Sequence, residues 1–90
     1  MSLDLNGSLI FVKVAELGSF IAAARALRMP TSSISRKVQA LETCLGVQLL
    51  QRTTRSIDLT EAGNLYYARC RRIARDLEEA EDAVGQLQRA

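Results

Sequence analysis

Histidine and tryptophan are absent from this chain of 90 residues, and cysteine and proline are scarce. Without histidine, Cys44 and Cys70 cannot complete a tetrahedral metal site, and we expect neither a metal nor another cofactor. No apolar run approaches the ~20 residues of a membrane span, and the first residues lack the basic start and apolar stretch of a signal peptide. These absences predict a cytoplasmic protein with reduced thiols and no membrane partner.

The sequence also lacks the groups that catalysis needs. It has no histidine to act as a general base, no glycine-rich phosphate loop and no paired carboxylates in a plausible pocket, so we expect no catalytic residues and no enzyme. Aromatic residues make up only 4% of the chain, which favours close-packed, alanine-rich helices over a sheet sandwich. A single domain of this size is marginally stable, and a partner subunit would help it.

Positive charge is concentrated in the middle of the chain, although the net charge is only +2. Residues 28–57 carry five basic side chains and one acidic side chain, whereas residues 61–90 carry five basic and six acidic ones. Clustered positive charge of this kind is typical of a surface that contacts a phosphate backbone.

Apolar periodicity predicts two short helices at the start of the chain. The first covers about residues 5–17 and ends at Gly18, because glycine readily adopts the left-handed conformation that terminates helices. The hydroxyl of Ser19 is suited to cap the N-terminus of the second, which covers about residues 20–27.

A third helix is predicted over residues 31–45, after Pro30, which breaks the second helix but tolerates the first turn of the next. It carries a narrow apolar stripe with a polar face opposite, and Gly46 ends it. Two short helices joined by a tight turn, the second polar on its outer face, form a helix-turn-helix.

Residues 47–59 consist of two short apolar pieces around a polar, basic stretch. This pattern predicts a small β-hairpin, or wing, with Arg52-Thr53-Thr54-Arg55 at its tip. The predicted fold is therefore mainly α: a winged helix-turn-helix over residues 1–60, followed by a long linker helix over residues 61–90.

The linker helix should begin after Thr60 as its N-cap. Its apolar residues alternate spacings of four and three, like the a/d seam of a coiled coil, at Tyr66, Cys70, Ile73, Leu77, Ala80, Val84 and Leu87. The helix is roughly 40 Å long, which is too long for a core of about sixty residues to cover, so we expect the domain to cover it only to about Tyr67. The seam therefore predicts a homodimer, and the order of charges, basic before acidic, favours an antiparallel pair.

The outer face of the third helix suits a reader of the DNA major groove. Small hydroxyl side chains near its start allow close approach, and Arg36 can reach guanine O6 and N7. Arginine at a hairpin tip suits the minor groove, and threonine suits phosphate oxygens. The candidate DNA contacts are Ser19, Thr31, Ser32, Ser33, Ser35, Arg36, Lys37, Gln39, Arg52, Thr53 and Arg55.

Several stretches resemble the DNA-binding domain of LysR-type transcriptional regulators, in order and spacing and over nearly the whole chain. They are residues 11–20, 22–27, 33–42, 45–55 and the Leu-Thr-Glu-Ala-Gly element at 59–63. The resemblance implies a dimer whose linker helices pair antiparallel and whose recognition helices enter successive major grooves of an interrupted palindrome in double-stranded DNA. It also implies base or backbone contacts from the third helix and backbone or minor-groove contacts from the wing.

The chain departs from the family pattern in two places. The family often opens the recognition helix with Ser-Gln-Pro, whereas Pro30-Thr31-Ser32 stands here, so a hydroxyl replaces an amide that would read a base. Leu50 replaces a common phenylalanine in the approach to the wing. Family members also carry a C-terminal effector-binding domain that this chain does not contain, so a small-molecule effector is expected only through that missing domain.

Two other hypotheses remain open on the residues alone. The first is the N-terminal domain of a molybdate-responsive regulator, although the wing and the Leu-Thr-Glu-Ala-Gly element favour the LysR type. The second is a helical dimerisation module with no role in nucleic-acid binding, because any amphipathic helix presents a polar outer face.

Overall fold

The computed structural model describes residues 4–52 and 57–89, in which helices dominate and two strands form one hairpin. The fold is the predicted winged helix-turn-helix with a long final helix, and the expected bounds of the first three helices are confirmed. The elements are α1 (Leu5–Leu17), α2 (Phe20–Leu27), α3 (Thr31–Leu45), β1 (Leu50–Arg52), β2 (Ile57–Leu59) and α4 (Glu61–Arg89).

Local capping interactions set the helix ends. Gly18 adopts a left-handed conformation with φ 67° and its N–H donates to the Val14 carbonyl, which ends α1. Ser19 Oγ accepts from the Ala22 N–H at 3.1 Å and caps α2. Both predicted caps are confirmed. The second helix ends at Leu27, as expected, but Arg28 after it takes the left-handed conformation, with φ 55°, where glycine is usual.

One apolar core joins the first three helices to the root of the wing. Its largest fully buried side chains are Phe11 and Val14 from α1, Ile34 and Val38 from α3, and Leu49. Because Leu49 comes directly before β1, the hairpin starts from a side chain anchored in the core.

The wing is an antiparallel hairpin, as predicted. Leu50 pairs with Leu59, Gln51 with Asp58 and Arg52 with Ile57. The remaining residues of the predicted tip, including Thr53 and Arg55, lie outside the described residues.

The start of α4 is fastened to the root of the wing. Thr60 Oγ1 accepts from the Gly63 N–H at 2.9 Å and donates to the Gln48 carbonyl at 2.7 Å, while the Thr60 N–H donates to the Leu49 carbonyl at 3.0 Å. The predicted N-cap is confirmed. A Cβ atom on Gly63 would overlap the Leu49 carbonyl oxygen and lie 2.9 Å from its carbon. Only glycine permits this approach of helix and strand.

The first turns of α4 pack along α1. Tyr66 Oη hydrogen-bonds Ser8 Oγ at 2.7 Å, and its ring centre lies 5.8 Å from that of Phe11. Cys70 is buried, at 7% exposure, and burial raises the pKa of its thiol. Tyr66 is half-buried and Cys70 is buried within the chain, and both belong to the seam that the heptad pattern assigns to the dimer interface, an assignment that stays a prediction. The burial of Cys70 extends the covered part of α4 by one turn beyond the expected limit near Tyr67.

Beyond Cys70, the large apolar side chains of α4 are exposed. Ile73, Leu77, Val84 and Leu87 are exposed by 54%, 43%, 62% and 77%. We call these four residues and Ala80 the exposed seam. The molecule measures 50 Å in its longest dimension. No helix in the described ranges is long and apolar enough to cross a membrane.

The Gly63 junction yields a stability prediction. Gly63→Ala should lower the free energy of unfolding by about 1–3 kcal/mol, because the added methyl group must push helix and strand apart. Gly85→Ala is the matched control: it lies in the same helix and its Cβ would meet nothing within 4 Å, so helix propensity should leave stability equal or higher. Urea denaturation measures the free energy of unfolding of each variant. Equal changes in the two variants would contradict the claim that Gly63 is required for the close approach to Leu49.

Candidate nucleic-acid interface

Helix α3 divides its residues between the core and an exposed polar face. Ile34, Val38 and Leu41 are buried against the other helices. On the opposite side, at helical spacing, lie exposed Ser32, Arg36, Gln39 and Thr43, and the Thr43 hydroxyl donates to the Gln39 carbonyl at 3.0 Å. The chain therefore presents arginine, amide and hydroxyl groups together on one helical surface, as the sequence pattern indicates.

The start of α3 carries small hydroxyl side chains. Thr31 and Ser32 are exposed, whereas Ser33 is half-buried. Pro30 occupies the N-cap position without a side-chain hydrogen bond, and its carbonyl accepts from the N–H groups of Ser33 and Ile34 at 3.0 and 3.2 Å. A helix N-terminus bearing exposed hydroxyls suits a phosphate group.

Lys37 points to a different part of the domain. Its Nζ donates to Asp4 Oδ2 at 3.2 Å, and that hydrogen bond, with a second from the Asn6 N–H, holds the pKa of the Asp4 carboxyl below its usual value. Asp4 also caps α1. The structure thus places Lys37 at the flank of α3, tied to α1, and away from the face that carries Arg36.

Ser19 serves the helix-turn-helix internally. Its hydroxyl is engaged as the cap of α2, and the residue is half-buried. Ser19 Oγ already accepts a hydrogen bond from the Ala22 N–H. A contact with DNA would therefore have to be made by the same hydroxyl that caps α2.

Arg52 lies at the end of β1, folded back against the helices. Its Nη2 donates to Ser35 Oγ at 3.3 Å, and its guanidinium carbon lies 4.4 Å from the centre of the Phe20 ring. The structure therefore brings two predicted contacts, Ser35 and Arg52, together. It also adds Phe20, which the sequence pattern shows only as an apolar residue of α2.

Glu42 has a role that the sequence did not reveal. Its Oε2 accepts from the N–H groups of Leu49 and Leu50, at 2.7 and 3.2 Å. The only available signal is that Glu42 is the single acidic residue in the basic segment, at the end of a helix that precedes a turn. A carboxylate bonded to two backbone N–H groups fixes the path from α3 into the wing.

An exposed polar helix beside a two-stranded wing defines a winged helix-turn-helix domain. Residues 5–64 match the profile of the bacterial regulatory helix-turn-helix proteins of the lysR family, and the chain belongs to this family. It is 67% identical over 88 residues to an HTH-type transcriptional regulator of Xanthomonas campestris pv. campestris, covering 98% of this chain and 26% of that protein. It is 56% identical over 78 residues to the transcriptional activator AaeR of Escherichia coli, covering 87% and 24%.

Solved structures show the same fold. The BenM DNA-binding domain in complex with its catB site 1 DNA has a TM-score of 0.85 and 29% identity, with 94% of each chain covered. Full-length CbnR complexed with its target DNA has a TM-score of 0.79 and 38% identity, with 91% of this chain and 28% of CbnR covered. The chain thus spans about a quarter of the length of the curated regulators that it matches.

Removing the Glu42 carboxylate should loosen the backbone at Leu49 and Leu50, because it accepts hydrogen bonds from both N–H groups. Glu42→Ala should cost about 1–3 kcal/mol, because two backbone N–H groups lose their acceptor. Glu42→Gln retains an acceptor oxygen and should cost less. Hydrogen exchange at the amides of Leu49 and Leu50 checks the cause: it should accelerate in the alanine variant, and unchanged exchange would refute this role.

Proposed function

We propose that this chain is the operator-binding part of a bacterial LysR-type transcriptional regulator, which binds double-stranded DNA as a homodimer in the cytoplasm. It acts by binding and not by catalysis. The observation that carries this proposal is the exposed polar face of α3 beside the wing, in a fold shared over 94% of its length with a DNA-bound domain. In this proposal the winged helix-turn-helix supplies DNA binding alone, and no small-molecule effector is assigned to it.

In this proposal α3 enters the major groove with its exposed face toward the base edges. Arg36 has the length and the paired donors to bind guanine O6 and N7. Gln39 follows on the same face, and the hydroxyls of Thr31 and Ser32 reach phosphate oxygens at the start of the helix. Ser33 and Ser35 are half-buried and therefore contribute less contact area.

The wing lands beside the groove that α3 occupies. Arg52, Thr53 and Arg55 supply contacts to the phosphate backbone or the adjacent minor groove, as the family resemblance implies. Glu42 holds the bend between α3 and β1, and the contact of Arg52 with Ser35 brings the hairpin beside the helix.

The exposed seam supports pairing with a second copy. Four large apolar side chains on one helix form a surface that a second helix of the same sequence can bury. An antiparallel partner also brings the acidic residues 76–82 of one copy near the basic residues 69–75 of the other. Each exposed ion pair is worth only ~0–1 kcal/mol, so the apolar contacts supply most of the stabilisation.

An apolar groove at the start of the exposed seam favours the antiparallel arrangement. Exposed Val47, Leu65 and Ile73 line it, with Arg69 and Arg72 among the other lining residues. If two copies cross near Leu77, the partner's C-terminal turns lie along this groove. They carry apolar residues into it and carboxylates toward its arginines, whereas a parallel pair would set the arginines of one copy against those of the other.

Arg36→Ala tests the reading of bases. Against a duplex selected by the wild-type chain from a random library, the variant should lose about 1–3 kcal/mol of binding free energy and relax base preference at one position. Lys13→Ala is the control, since it removes the same charge from α1, where Lys13 lines a hollow against α4. Equal losses of binding free energy in the two variants would mean that Arg36 contributes only non-specific electrostatic attraction to DNA. If the wild-type chain binds no duplex, DNA binding itself is refuted.

Leu77→Asp tests the homodimer. A charge in the middle of the exposed seam should give monomers in sedimentation equilibrium at concentrations where the wild-type chain is dimeric. Gln86→Asp adds the same charge on the opposite side of the helix, nine residues away, and should remain dimeric. If Leu77→Asp dimerises as tightly as the wild type, the seam is not the interface.

A further inference from the structure

Arg52 connects three elements at the root of the wing. It ends the described part of β1, where it pairs with Ile57, and its side chain contacts Ser35 in α3 and Phe20 at the start of α2. The hydrogen bond to Ser35 measures 3.3 Å, and the guanidinium carbon lies 4.4 Å from the ring centre of Phe20. One cationic side chain thus spans the helix-turn-helix and the wing.

The Phe20 ring is a fixed support for this cation. It is half-buried and packs against the apolar core, so it has little freedom to turn away. The backbone before it is set by Ser19, which caps α2. A guanidinium held over such a ring loses side-chain freedom before any ligand arrives, and this lowers the entropic cost of binding.

The stacked arrangement leaves donors of Arg52 available. A guanidinium has five N–H donors, and stacking uses its face and not its edge. The contact with Ser35 engages only Nη2. Arg52 is also exposed, so the remaining edge can meet an oxyanion from outside.

The direction of the side chain decides which part of DNA it can reach. An arginine that enters the minor groove must extend away from its own domain. Arg52 instead folds back on α2 and α3, beside the face that carries Arg36. A phosphate that borders the major groove occupied by α3 is therefore the acceptor within its reach.

We propose that Phe20 is a positioning residue that, together with Ser35, holds Arg52 against α3 so that its guanidinium binds a backbone phosphate next to the recognition helix. This inference rests on the proposed DNA-binding function and deepens it. It gives Arg52 a contact that is independent of base sequence, and it gives Phe20 a role that its place in the core does not require.

The first test measures the contact without DNA. Ring-current shifts of the Arg52 side-chain protons, measured by NMR on the full chain, should be present in the wild type and in Phe20→Tyr. They should vanish in Phe20→Leu, which keeps bulk in the core but has no ring. Shifts that are absent from the wild type, or unchanged by Phe20→Leu, would overturn the proposed support.

The second test is a double-mutant cycle with two probes, a duplex selected by the wild-type chain and a random-sequence duplex of equal length. Arg52→Ala should weaken both by the same factor and reduce the slope of log affinity against log salt by about 0.9, the loss of one phosphate contact. Phe20→Leu should weaken both by about two- to five-fold, and Phe20→Tyr should restore most of that loss. In the Arg52→Ala background, Phe20→Leu should cost nothing further.

The outcomes separate this inference from the proposed function. If Phe20→Leu weakens binding equally with and without Arg52, Phe20 acts only through the fold and the positioning role is refuted. If Arg52→Ala affects only the selected duplex, Arg52 reads bases and the phosphate assignment is refuted, while DNA binding stands. If the wild type selects no duplex from the library and does not bind the random-sequence duplex, but the ring-current shifts are present, it is the proposed function that fails.

Discussion

The close contact between Gly63 and the Leu49 backbone is the constraint on which most of this structure depends. A helix can begin this near a strand only because Gly63 has no side chain, and Thr60 closes the junction with hydrogen bonds to both sides. Leu49 in turn anchors the strand in the core, and Glu42 holds its N–H group. The relative directions of α3, the wing and α4 are therefore set at one junction, formed by Leu49, Thr60 and Gly63.

That junction has consequences for a dimer. In a two-fold assembly the distance between two recognition helices follows from the angle at which each long helix leaves its domain and from where the two helices cross. The contact of Tyr66 with α1 and the burial of Cys70 tie the first turns of α4 to the domain, to one turn beyond Tyr67. The spacing of half-sites that such a dimer prefers is thus set by contacts inside each subunit as well as by the exposed seam.

Polar residues in this domain divide into those that maintain the fold and those left for a partner. Ser19 and Thr60 cap helices, and Lys37 joins α3 to α1 through Asp4. Residue type and helical spacing cannot separate these roles, because a hydroxyl that caps a helix and one that meets a phosphate look alike in a sequence. The face that carries Arg36 remains exposed because α3 packs on the core through its opposite side, where Ile34, Val38 and Leu41 are buried.

The sequence by itself determined the helix bounds, most caps and the hairpin, because these depend on interactions between residues a few positions apart. Gly18, Ser19 and Thr60 act as their types and places predict. The tertiary structure decided what depends on residues far apart in the chain. It buried Cys70, joined Glu42 to the wing, and laid Arg52 on a ring more than thirty positions earlier. Periodicity identifies which side of a helix is apolar, but only packing decides whether that side meets its own domain or a partner.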